Sequence, residues 1–153
     1  MIDKCSFCKE TSDVINKNTS PYPHFVIELE TGYVSLGYRQ YYKGYCVFIC
    51  KEHGFELHKL PSEFRKKFLY EMTLVSEAVD RAFKPKKINY ELLGNSYSHL
   101  HWHIFPRYKN DPKPKIPVWS NIEYINYKIR PTESELLALK NKLLKGFKIV
   151  LKK

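Results

Sequence analysis

Between positions 99 and 107 the chain reads His99-Leu100-His101-Trp102-His103-Ile104-Phe105-Pro106-Arg107, setting three of its six histidines at every second residue. Imidazole has an ordinary pKa of roughly 6.5, so near neutral pH it offers a free ring nitrogen as a nucleophile without a separate strong base. Phosphorus is a suitable target. One ring attacks while its other nitrogen is held by a carbonyl, and flanking imidazoles and hydroxyls stabilise the oxygens of the transferring phosphoryl group. Ser96, three residues before His99, adds such a hydroxyl. Rings this close titrate as a coupled set. Two other readings stay open on spacing alone: a short His-rich tract that only binds metal, and a His₃ zinc site that generates hydroxide. Against the second, no downstream Asp or His completes a hydrolytic cluster, and Asp111 stands isolated in the sequence.

A second group with ligand chemistry is Cys5-x-x-Cys8, whose spacing lets two thiolates grip one tetrahedral zinc from a tight turn. A redox pair is expected near a βαβ pattern, and no strand precedes this one. Cys46 and Cys50 are not the missing ligands. They lie in Tyr45-Cys-Val-Phe-Ile-Cys50, a buried strand by composition, where four residues span roughly 13 Å, so both are read as small core residues. His53 emerges where that strand ends, as a ligand, a cap or a bystander.

The elements that must carry these groups follow from periodicity. Strand side chains alternate between faces, so His99, His101 and His103 share one face while Leu100, Trp102 and Ile104 pack on the other. Asn16 to Pro23 reads as a loop; His24 to Glu30 and Tyr33 to Tyr38 read as adjoining strands joined by Thr31-Gly32. Pro61-Ser62-Glu63 opens a helix on which Phe64, Phe68, Met72, Val75, Val79 and Ala82 form one apolar stripe to about Phe83. Ile88 to Leu93 is a further strand, leading through Gly94-Asn95-Ser96 into the histidines. Asn110 to Trp119 is a proline-rich connector expected to fold back over the site, Glu123 to Ile129 a short extended piece, and Pro131-Thr132-Glu133-Ser134-Glu135 the start of a final helix with Leu136, Leu139, Leu143 and Leu144 on one side.

At 153 residues and 43% hydrophobic the chain makes one domain over 1–153. The excess of 26 Lys and Arg over 16 Asp and Glu, a net +10, favours anionic partners such as nucleotides, phosphates or nucleic acid. The clusters Arg65-Lys66-Lys67, Lys84 to Lys87 and Lys113 to Lys115 are dispersed and read as solvated faces, without the aromatic interleaving of a single-strand platform. A nucleic-acid-binding module with structural histidines is the alternative, and nucleic acid is not the expected partner. With no apolar run of signal-peptide or membrane-span length, the expected location is the cytoplasm, where cysteines are thiols or metal ligands.

The run from His99 to Arg107, preceded by Asn89 and by Gly94-Asn95-Ser96, resembles the histidine-triad (HIT) superfamily of nucleotide hydrolases and transferases. The likeness extends to Gly44-Tyr-Cys-Val-Phe-Ile-Cys-Lys-Glu-His53, the long helix and Cys5-x-x-Cys8, covering about residues 1–110 and leaving 111–153 as a C-terminal extension. Gly94-Asn95 and a His-Trp-His followed by Pro-Arg are most similar to bacterial-type members described as dinucleoside polyphosphate hydrolases. The resemblance implies an α+β fold, an antiparallel sheet with one long helix and a C-terminal helix, usually paired as a homodimer and binding a nucleoside phosphate at the triad. By position it makes His101 the nucleophile of a nucleotidyl-histidine intermediate, with His103 and Ser96 on the phosphate and Asn89 and Asn95 assisting. It also assigns a structural zinc to Cys5, Cys8, His53 and His99; the triad chemistry itself needs no cofactor. Two positions depart from the pattern: Tyr45 stands where many relatives have a histidine, and Gly37 near where they carry an acidic or amide residue for the ribose hydroxyls. Phe7, Leu36 and Tyr38 are the candidates for a base pocket.

Overall fold

The computed structural model describes residues 5–9 and 23–152, so the loop read over Asn16 to Pro23 lies outside them up to position 22. After a helical turn at 6–9, the chain forms β1 (Phe25–Glu28), β2 (Gly32–Leu36), β3 (Cys46–Cys50), α1 (Ser62–Phe83), β4 (Lys87–Glu91), β5 (His101–Arg107), α2 (Ile122–Asn126) and α3 (Glu133–Val150). The five strands make one antiparallel sheet in the order β1-β2-β3-β5-β4, an α+β fold. Register decides what each face carries. Ile49 pairs with His101 and Val47 with His103, putting both histidines and Phe105 on one face; Phe48 opposite Trp102 and Cys46 opposite Ile104 face the other way.

That second face is covered by α1 and α3, and Val34, Cys46, Phe48, Phe68, Val75, Val79, Ile104 and Leu143 are wholly buried between them. Each such side chain contributes about 1.5–3 kcal/mol from burial, so these two layers hold the histidine strand rigid. The thiols of Cys46 and Cys50 belong to this core, and burial pushes both up to about 12. Glu71, the one carboxylate buried within α1, is satisfied by the backbone N–H groups of Glu30 and Thr31 and the Thr31 hydroxyl, pinning the turn between β1 and β2 to the helix.

Two expectations need correction. Glu123 to Ile129 is not extended: α2 forms there because the Asn121 side chain accepts from the Glu123 N–H as an N-cap, while its own NH₂ donates to the Tyr42 hydroxyl. And β5 begins at His101, because Leu100 is diverted into bonds with Gly54 and Cys50, leaving His99 before the strand. The final helix starts as expected, with Thr132 and Glu135 closing a reciprocal capping box. No described helix is long and apolar enough to cross a membrane.

Candidate active site

The histidine face is a chain of hydrogen bonds. His101 Nδ1 lies 2.6 Å from the His99 carbonyl oxygen, His101 Nε2 lies 3.0 Å from His103 Nε2, and His103 Nδ1 lies 2.7 Å from the Tyr45 hydroxyl. A carbonyl only accepts, so His101 Nδ1–H donates to it, which in the neutral ring leaves Nε2 as the unprotonated nitrogen. Burial holds the His101 imidazole below its ordinary pKa. His103 falls further, to about 3, through burial first and then the neighbouring His101. Both rings are therefore neutral at pH 7, the form in which an imidazole nitrogen can attack.

The rings open into a cavity of about 510 Å³ whose lining includes Phe7, Tyr38, Asn95, Ser96, His101, His103 and Trp119. Phe7 stands 4.8 Å from the His101 ring, centroid to centroid, and Trp119 meets His103 edge-on at 5.4 Å. This places the Trp119 end of the proline-rich connector over the site. The volume falls within the range of small-molecule sites, with an aromatic rim and a few convergent polar groups.

At one end of the histidine row a second cluster gathers. One ligand atom from each of Cys5, Cys8, His53 and His99 lies within 4.8 Å of the others. Cys8 Sγ is 3.1 Å from His53 Nδ1 and 3.5 Å from His99 Nδ1, which is also 3.5 Å from Cys5 Sγ. Tetrahedral zinc, with Zn–S about 2.3 Å and Zn–N about 2.0 Å, sets its ligands apart by just such distances, so the residues fit the metal. His99 is prepared for it: Nε2–H donates to the Cys50 carbonyl at 2.8 Å, leaving the Nδ1 lone pair toward the thiols. Without a cation, burial and the adjacent Cys5 hold the Cys8 thiol up at about 11; a bound metal deprotonates such a thiol. Because His99 faces the thiols and His101 faces His103, the three histidines do not converge on one ion, and the His₃ hydrolytic reading falls.

Of the expected site residues, Phe7, Tyr38, Asn95, Ser96, His101 and His103 are brought to one cavity. Leu36 only borders it: paired with Cys46, it is 2% exposed in the helix-side core. Asn89 is not brought there. Its Oδ1 accepts from Arg107 Nη1 at 2.8 Å, because the two residues lie on neighbouring strands of the same face. The sequence concealed three participants. Tyr45 is buried against Phe105, with ring centroids 4.0 Å apart, and bonds His103. Glu91 sits across from His103 on β4, its carboxyl raised by burial and drawn back by the Trp119 indole and then by Arg107. Arg107 clamps the connector, pairing with buried Asp111 and donating to the Ile116 and Lys113 carbonyls. Only the Tyr45 departure from the family pattern hinted at any of these.

The HIT domain family profile matches residues 19–110. An uncharacterized HIT-like protein of Borreliella burgdorferi is 28% identical over 120 residues, 70% of this chain and 78% of its own. A histidine triad protein of Marinobacter aquaeolei VT8 superposes with a TM-score of 0.72 at 25% identity, over 83% of this chain and 90% of that one. A zinc-bound histidine triad family protein of Mycobacterium smegmatis shares the fold at 18% identity and a TM-score of 0.62, over 95% and 96% of the two chains.

Proposed function

Since the chain belongs to the HIT domain family, we propose that it is a nucleotide hydrolase or transferase acting at the α-phosphate of a nucleoside phosphate through a covalent histidine intermediate. The observation that carries this reading is the orientation of His101: Nδ1–H is spent on the His99 carbonyl, so Nε2 carries the ring's lone pair, facing His103. Nε2 forms an N–P bond as the bond from phosphorus to the leaving group breaks, the electron pair departing with that group. Water then attacks phosphorus, the N–P bond breaks, and its pair returns to Nε2. One water supplies the hydroxyl that ends on the nucleotide and the proton that ends on the leaving group. His103 and the Ser96 hydroxyl lie at the cavity to donate to phosphoryl oxygens, and Asn95 adds an amide.

Two substrate classes present an α-phosphate with a leaving group, dinucleoside polyphosphates and nucleoside phosphoramidates. Steady-state assays over a panel of both, with rapid-quench trapping of an α-³²P-labelled substrate, are expected to show turnover and label on His101. Failure to turn over either class with zinc supplied overturns the reading and favours a nucleotide-binding module. The net +10 charge suits any of these anions. The reading includes a structural zinc on Cys5, Cys8, His53 and His99, supported by their geometry, and assembly as a homodimer, supported by the outer edge of β4, which pairs with no strand among the described residues. Light scattering in solution tests the second.

A further inference from the structure

Tyr45 lies one hydrogen bond behind the reacting rings and has no part in the chemistry proposed above. Its orientation follows from the single atom in the network that can only accept. The His99 carbonyl accepts from His101 Nδ1–H. A His101 that attacks phosphorus must then present a bare Nε2, a step that rests on the proposed nucleophilic role. The 3.0 Å contact between the two Nε2 atoms therefore holds one proton, and it belongs to His103. A neutral His103 protonated at Nε2 has only a lone pair at Nδ1. The Tyr45 hydroxyl, 2.7 Å away, is the donor to it.

We propose that Tyr45 is a positioning residue that locks His103 in its Nε2-protonated tautomer, keeping that N–H aimed at the phosphoryl site beside His101. The ring cannot swing off this task. It stacks on Phe105 at 4.0 Å and 10°, and it also lies against Gly37, where a Cβ would lie 2.1 Å from the ring. The two departures from the family pattern are thus one structural unit: a tyrosine at 45 fills the space that any side chain at 37 would need. Donation into Nδ1 withdraws density from the imidazole and strengthens Nε2–H as a donor.

The test uses full-length, zinc-loaded protein labelled with ¹⁵N-histidine, with His103 assigned by the loss of its signals in His103→Asn. The wild type is expected to show His103 protonated at Nε2 with a hydrogen-bonded, unprotonated Nδ1. Tyr45→Phe keeps the ring and deletes the donor. It is expected to give a mixture of His103 tautomers, and kcat lower by about tenfold, the size of one neutral hydrogen bond, with KM little changed. Protonation of wild-type His103 at Nδ1 overturns the proposal, as does a Tyr45→Phe protein with unaltered tautomer or unaltered kcat. The wild-type spectrum decides by itself if the variant does not fold. A wild type that turns over no substrate removes the proposed function, while the tautomer measurement still decides the role of Tyr45.

Discussion

His101 and His103 differ by two positions in sequence and by their whole hydrogen-bonding environment in space. His101 has its Nδ1 fixed by a backbone carbonyl, whereas in the proposed reaction His103 is one of the groups that handle charge. His101→Ala is expected to abolish turnover, a loss of several orders of magnitude in kcat with no labelled intermediate. His103→Ala is expected to lose roughly a hundredfold by removing one donor. Comparable losses in the two variants, or an intact reaction in His101→Ala, would reject these roles. The same burial shapes stability. His24, His101 and His103 all have depressed pKa values in the folded chain, chiefly from desolvation. Below their unfolded value near 6.5 the unfolded chain binds more protons than the folded one, so stability falls with acidification, by up to about 1.4 kcal/mol per pH unit for each histidine. Glu91, raised by burial, opposes this with at most one proton. Urea melts at pH 7 and pH 5.5 should show the lower midpoint at pH 5.5, and a higher one there would contradict the burial of neutral rings. At this scale the sequence displayed the candidate reactive residues because their spacing is a strand's. It hid Arg107, which ends the same motif yet serves as a clamp: a buried guanidinium looks like any other basic residue until its acceptors, Asn89, Asp111 and two carbonyls, arrive from elsewhere in the chain.

The elements were most legible where a period of two or of about 3.6 runs unbroken. Alternation over 101–107 identifies β5 and both its faces, and the apolar steps from Phe64 onward identify α1. What periodicity does not show is where pairing begins or how short helices are nucleated. His99 keeps the alternation but leaves the strand, which is what frees it for the thiols. The five residues of α2 carry no readable stripe, and they are helical because buried Asn121 caps them while tethered to Tyr42, a contact 79 residues away in sequence. Helix against helix, the backbones approach closely at Gly146 of α3, where a Cβ would lie 2.3 Å from the Ala78 carbonyl oxygen of α1. Two rigid backbones meet there, so neither can yield as a flexible side chain would. Gly146→Ala is expected to push the helices apart and cost about 1–3 kcal/mol, despite the better helix propensity of alanine. Chemical denaturation checks it, and an unchanged or raised stability would mean that the crossing relaxes freely.

For the whole molecule, the site is assembled from parts that the sequence holds far apart. Residues 19–110 carry the family core, but the cavity takes Phe7 from before it and Trp119 and Tyr124 from after it. The N-terminal part is joined to the rest by the Cys5, Cys8, His53 and His99 cluster, so a metal there would fix Phe7 against His101 and the approach to β5 in one step. The cluster has four protein ligands and no open position, which suits a structural zinc. Metal analysis of protein purified without a histidine tag is expected to find one zinc per chain, and Cys5→Ser, Cys8→Ser together should remove it. Melting should then fall by about 2–4 °C for each kcal/mol lost. Because His101 keeps its carbonyl and His103 its tyrosine when the metal goes, the kinetic effect should fall on KM, through loosened Phe7, more than on kcat. Substoichiometric zinc, or zinc unchanged in the double variant, would remove the metal from this picture. A collapse of kcat equal to that of His101→Ala would show instead that the zinc cluster and the nucleophile are one unit, coupled through the short run from His99 to His101.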